Sequence, residues 1–202
     1  MFAACNHEAL IYKAKLRYLK AEIDYLRQSG GDGFNVALNR PATQSSVSSW
    51  SKGPTPAEDA SGANNGLITG DQGFHTGREN GPWWQVDLGK PTAIDQVWLF
   101  NRQVEARRLR HFSIHGSVDA TNWTILFQKT DSKVFGENFE PYIARIADAP
   151  EVRFVRIRLD GEECLHFDEC MVFARTKQSR QHWIVTRDAA TVPVDSQTTP
   201  TS

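Results

Sequence analysis

Pro82-Trp83-Trp84-Gln85-Val86-Asp87-Leu88-Gly89 is the stretch that decides the fold. Trp84, Val86 and Leu88 alternate with Gln85 and Asp87, which is the two-residue period of a strand with one buried face. Adjacent side chains of a strand point to opposite sides, so one of the two indoles enters the core. The other stays outside, to stack on a flat ligand face or to pack under a loop.

The same period continues outward along the chain. In Ile94–Phe100 apolar residues dominate, as in a strand covered on both faces. Phe112 and Ile114 alternate with His111, Ser113 and His115, and Trp123–Phe127 follows the turn Asp119-Ala120-Thr121-Asn122. Val155, Ile157 and Leu159 point one way while Arg156 and Arg158 point the other, and Met171–Phe173 closes the set. Short strands separated by Gly, Pro, Asn and Asp turns, without long helical patterns between them, predict an antiparallel sandwich or barrel.

The ends of the chain read differently. In residues 1–32 the apolar positions Ala9, Tyr12, Leu16, Leu19, Ile23 and Leu26 fall at helical a/d spacing, and Ser29-Gly30-Gly31-Asp32-Gly33 terminates the helix and forms a hinge. A helix this short needs a partner surface. Residues 9–26 either pack on the chain's own domain or pair with copies of themselves, and a homo-oligomer is the expectation carried forward. Residues 33–175 form the predicted β domain. Residues 176–202 drift into Thr, Pro, Ser and Gln and form a mostly flexible tail, with Trp183-Ile184-Val185 able to dock as one strand.

Composition narrows the function. The chain has 202 residues, 40% of them hydrophobic and 23% charged, with a formal net charge of −1. That balance argues against a nucleic-acid binder, which carries a basic excess. No apolar run is long enough for a transmembrane segment. No basic-then-apolar leader opens the sequence, so the expected location is cytoplasmic, with non-classical export or cell-surface association left open. Three cysteines, Cys5, Cys164 and Cys170, make no paired framework. They read as free thiols, with a Cys164–Cys170 bridge as the alternative. No nucleophile elbow, phosphate loop, zinc motif or dinucleotide fingerprint is present, which points to a binding module and not an enzyme. Asn122-Trp123-Thr124 matches a glycosylation sequon but reads as the turn into a strand.

Three stretches form an ordered set: Asn35–Ser46, Phe74–Gly89, and the paired ending Arg153–Leu159 with Leu165–Phe173. Between them lies Gly116–Trp123, a turn entering a strand. The set resembles the discoidin superfamily, the coagulation factor 5/8 type C domains, and within it the fucose-binding F-type lectins and related carbohydrate-binding modules. The resemblance implies an all-β fold: an antiparallel jelly-roll β-sandwich of about eight main strands, here with an N-terminal α-helix. Loops at one end of such a sandwich form a shallow glycan site.

In that family a His before Pro-Trp-Trp, an Arg after the following strand and a second Arg in the next loop bind sugar hydroxyls. The resemblance places His75, Arg102 and Arg107 or Arg108 in those roles, with Glu79 beside them. Arginine suits this task because its rigid fork of donors meets directional hydroxyl acceptors. One departure stands out. The acid expected two residues after the first Arg is Val104, and Glu105 comes one place late, which leaves the orientation of Arg102 in question.

The resemblance also implies a structural calcium between an early loop and a Glu of the last strand. Asp59, Ser61, Asn64 and Glu169 are the candidate ligands, although Ser61-Gly62 stands where the family has Asp-Gly. The expected function is non-catalytic, lectin-like binding of fucose or a similar glycan, with avidity from oligomerisation. The alternatives are a protein- or membrane-binding discoidin domain with Trp50 and Phe135 as loop tips, and a targeting module docking to a separate carbohydrate-active enzyme.

Overall fold

In chain order the elements are β1 (Ala42–Gln44), α1 (Pro56–Ala60), β2 (Arg78–Asn80), β3 (Trp83–Phe100), β4 (Phe112–Ser117), β5 (Thr124–Lys129), β6 (Tyr142–Arg145), β7 (Glu151–Leu159), β8 (Glu162–Cys164) and β9 (Glu169–Ala174). The computed structural model describes residues 12–13 and 35–175. Apart from residues 12 and 13, the expected helical segment, its hinge and the tail lie outside the described residues.

β3 organises the sandwich. Its first half lies between β1 and β7 in a layer ordered β1-β3-β7-β4-β5, and its second half lies between β6 and β9 in the other layer. Every pairing is antiparallel. The sequence suggests two separate strands, Trp84–Leu88 and Ile94–Phe100; the structure joins them into one bent strand. The bend coincides with a register shift between Asp87 and Thr92 and with Gly89 at φ 85°, a left-handed conformation that a side chain would strain.

A bulge then reverses the alternation. Ile94 pairs with Ala174, and Gln96 pairs with Phe173, so Asp95 is an extra residue on β3. Trp84, Val86, Leu88 and Ile94 face the main core, but beyond the bulge Val97 and Leu99 take that role. Trp98 and Phe100 turn to the opposite face and join Ile68, Phe139, Met171 and Phe173 in a second cluster. Both faces of this half-strand are therefore covered, as its run of apolar residues predicted.

The expected sandwich is present, with nine strands among the described residues, two of them the short β2–β8 ribbon. Trp84 is the core indole, with no exposed surface, and its Nε1–H donates to the Ala60 carbonyl at 2.9 Å. Trp83 is the outer one. It stacks on the Arg156 guanidinium at 4.3 Å, and Trp123 covers the other side of that group at 3.9 Å. Phe135 is not a loop tip. It is half-buried and packs against Phe112 and Tyr142. Cys164 and Cys170 are free thiols.

Candidate functional site

Two extended segments meet at the end of the sandwich where β3 finishes and β9 begins. Gly73 N–H donates to Phe167 O at 2.8 Å, Thr76 N–H to Leu165 O at 3.0 Å, and Leu165 N–H to Thr76 Oγ1 at 2.8 Å. This strand-like register sets residues 74 and 75 opposite 166 and 167. Phe74 and Phe167 point inward and pack edge to face at 4.6 Å against Trp84. Neighbours in an extended chain point the other way, so the imidazoles of His75 and His166 come together on the far side of that aromatic floor.

His75 is tightly positioned. Its backbone N–H donates to Asp59 Oδ2 at 2.9 Å, and its carbonyl accepts from Ser51 Oγ at 2.7 Å. Nδ1 lies 2.7 Å from the Thr76 carbonyl, an acceptor only, so Nδ1 carries the proton and Nε2 is left as a lone-pair acceptor. The Ser48 hydroxyl sits 3.0 Å from Nδ1. Burial, aided by the charges of Arg108 and Arg102, holds the ring below the usual histidine pKa, while the Thr76 contact opposes the shift.

Asp59 is what fixes this arrangement. Thr55 caps α1, forming a reciprocal capping box with Glu58, and Pro56 opens the helix. The short helix delivers Asp59 to a buried position. There its Oδ1 accepts from the backbone N–H of Lys52 and Gly53, and its Oδ2 from Gln44 Nε2 and the His75 N–H.

Arg102 and Arg108 complete the cluster. The loop after β3 runs past Gly70, whose carbonyl accepts from Gln103 N–H at 2.9 Å. Buried Asp168 holds that turn by accepting from Thr69 N–H, Thr69 Oγ1 and Gly70 N–H. Burial pushes its pKa up to about 6. The next residue, Asp71, reaches Arg102 Nε at 3.3 Å and Lys52 Nζ at 3.5 Å. Arg102 thus has a carboxylate neighbour from a loop distant in sequence. Glu105 has a left-handed backbone and turns to Arg107 at 3.0 Å and Arg108 at 3.8 Å. Arg108 also lies 3.7 Å from Glu163. Among the described residues none of these Arg102 and Arg108 ion pairs is a close, well-aligned hydrogen bond, and Arg102 Nε is buried without a hydrogen-bond partner.

His75, only 3% exposed, lies within the electrostatic reach of Arg108 and Arg102. Arg107 is largely exposed and engaged with Glu105. Glu79 lies on β2 opposite Glu163, and its Oε1 accepts from the Ser45 and Ser46 hydroxyls at 2.6 Å each. Its carboxylate therefore pins the β1 loop. Sequence reading missed His166 and Asp71. The signal for His166 was its place between Leu165 and Phe167 in the family-like ending Leu165–Phe173; Asp71 gave no local signal. Trp50, 64% exposed, stands beside the cluster, its N–H bonded to the Ser48 hydroxyl that meets His75.

Calcium takes roughly six to eight oxygens. Two of the four expected ligands do not fit that demand. Asp59 is surrounded by N–H donors, and Ser61 is exposed with its hydroxyl donating to Glu58 O. The other two fit better. Asn64 Oδ1 is buried without a hydrogen-bond partner among the described residues, while its amide holds the Ala37 and Arg40 carbonyls. Glu169 is fully buried and accepts from Asn65 and Gly66 N–H at 3.1 Å, and burial raises its pKa to about 8. Among the described residues no group of three or more His, Cys, Asp or Glu side chains is placed to hold a metal.

The geometry defines a class: a β-sandwich whose end loops present basic and imidazole groups. Residues 62–157 match the family model of the F5/F8 type C domain, described as NedA-like and galactose-binding. The described sandwich is accordingly similar to the F5/F8 type C domains. Among solved structures, the lectin domain of lectinolysin complexed with Lewis b antigen is 26% identical, with a TM-score of 0.56 over 71% of this chain and 98% of that one. A fucose-binding module of Streptococcus pneumoniae is 25% identical, with a TM-score of 0.58 over 71% and 96%. Chitosan-binding module 1 from a Paenibacillus chitosanase/glucanase shares the fold at 23% identity and a TM-score of 0.54, over 70% and 99%. No curated protein matches in sequence. No helix among the described residues is long and apolar enough to cross a membrane.

Proposed function

We propose that this domain is a non-catalytic carbohydrate-binding module that grips a sugar, fucose or a close relative, at His75, Arg102 and Arg108. The observation that carries the reading is an imidazole acceptor set in the field of two incompletely paired guanidiniums. A ring hydroxyl both donates and accepts. His75 Nε2 takes its proton side, and the arginines donate to its oxygen and to its neighbours. Trp50 offers an exposed indole face for the apolar side of the ring. The lectin and fucose-binding modules of similar structure support the same ligand class.

The test is a glycan array followed by titration calorimetry on the hits. Wild type binds a defined glycan set, and His75→Ala and Arg102→Ala each weaken binding at least about tenfold with unchanged circular dichroism. Arg102→Lys does not restore it, because a point charge lacks the planar fork. An array without hits, or variants that bind like wild type, overturns the reading.

Pairing of copies through residues 9–26 would raise avidity for a repeated ligand by about 10²–10⁴. Light scattering of the full chain tests this, and a strict monomer removes it. A structural calcium is proposed with Asn64 and Glu169 as its side-chain ligands, which leaves the remaining oxygens to backbone carbonyls and water.

A further inference from the structure

Beside the arginine cluster lies a hollow of about 180 Å³, walled by Arg107, Arg108, Arg110, His111, Asp160 and Glu163, with Leu159 and Glu162 completing the rim. Arg108 belongs to this wall and also acts electrostatically on His75, and Glu163 of the wall lies 3.7 Å from Arg108. We propose that the hollow takes the second ring of an oligosaccharide whose terminal ring sits at His75, Arg102 and Arg108, which makes the ligand an extended, uncharged glycan and not a free monosaccharide. This rests on the carbohydrate reading above.

The charge pattern selects the ligand class. Three guanidiniums, from Arg107, Arg108 and Arg110, face three carboxylates, from Asp160, Glu162 and Glu163. An anionic group entering the hollow meets the acids, a cationic one meets the arginines, and an apolar one desolvates both. A neutral ring bearing hydroxyls finds a donor and an acceptor on every side. Part of the wall is already spoken for: Arg107 by Glu105, and Glu162 by Arg78. Arg110, His111 and Asp160 are the groups most open to a ligand. Among the described residues the Asp160 carboxylate has one long contact, 3.4 Å from Gln128 Nε2, and the His111 ring one of 3.4 Å with the Ser132 hydroxyl.

The rim is also held in place. Lys129 is a buried cation, and its ammonium donates to the carbonyls of Arg110, Asp131 and Lys133 and to Asp131 Oδ1 at 2.8–3.0 Å. This ties the backbone of Arg110 to the loop after β5. A polar wall fixed in this way loses little freedom when a ligand binds.

The test is an array displaying fucose, galactose and glucosamine each alone and as the terminal ring of di- and oligosaccharides, Lewis b and chitosan oligomers among them. Wild type binds at least one extended glycan about tenfold more tightly than its terminal sugar alone. Arg110→Ala and Asp160→Asn, both at exposed positions, bring the extended glycan back to the level of the single sugar and leave single-sugar binding unchanged. Equal binding of single and extended sugars by wild type overturns the inference while the carbohydrate reading stands. So does undiminished binding of the extended glycan by both variants. Absence of binding to any sugar overturns both.

Discussion

The imidazoles of His75 and His166 stack with centroids 5.2 Å apart and planes 24° from parallel, and neither nitrogen of His166 has a hydrogen-bond partner among the described residues. His166 is 1% exposed. Burial, with the charges of His75, Arg102 and Arg108, brings its pKa down to about 3 from 6.5. A ring in this state is neutral, and its cost falls on stability in acid.

That cost has a definite sign. The unfolded chain protonates His166 near pH 6.5 and the folded chain only near 3. The unfolded state therefore binds more protons between those values, and stability falls as pH drops through that window, with a slope approaching about 1.4 kcal/mol per pH unit. His166→Leu removes an unsatisfied buried polar group. Urea unfolding from pH 7 to 4 should show equal or greater stability for the variant at pH 7, and a shallower loss below pH 6.5. Parallel curves for the two proteins would show that His166 is not kept neutral.

Asp59→Ala strips the acceptor from four donors, Lys52 N–H, Gly53 N–H, Gln44 Nε2 and His75 N–H. Leaving buried donors unpaired costs on the order of 3–5 kcal/mol. A drop of that size in the chemical-denaturation free energy is expected, together with weaker glycan binding, because His75 loses its anchor. A loss below about 1 kcal/mol would contradict the four-donor arrangement.

Arg156 lies between the indoles of Trp83 and Trp123 and donates from Nε and a terminal nitrogen to Gln85 Oε1. Arg156→Ala removes two cation–π contacts and frees both rings, at a cost of about 1–3 kcal/mol. Denaturation and a change in tryptophan emission check this. Glycan affinity should not move, since the ladder lies on the outer face of the β3–β7 layer and away from His75.

Calcium at Asn64 and Glu169 predicts a rise in thermal midpoint when millimolar calcium is added to chelator-treated protein. Glu169→Gln and Asn64→Ala each abolish the rise. Identical midpoints with calcium and with chelator would end the proposal for these two residues.

Gly62 and Gly73 pack backbone to backbone, and a Cβ on Gly62 would collide with the Gly73 carbonyl. Gly62→Ala must therefore displace the segment that carries His75. A loss of stability of about 1–3 kcal/mol, the range for overpacking, is expected in thermal unfolding.

The layered antiparallel fold was legible in the residue order, because alternation is a local property: Trp84, Val86 and Leu88 declare their buried face whatever surrounds them. That order also singled out His75, Arg102 and Arg108 through a family pattern of residue types. Pairing between distant segments was beyond it. The bulge at Asp95 exchanges inner and outer faces along β3 through pairing with β9, and nothing in Ile94–Phe100 alone marks it. His166 meets His75 because Gly73 and Thr76 bond to Phe167 and Leu165. Asp71 meets Arg102 because Asp168 holds its turn. Contacts between residues far apart in the chain are chosen by the whole packed structure, and so only the tertiary structure decided which side chains share the site.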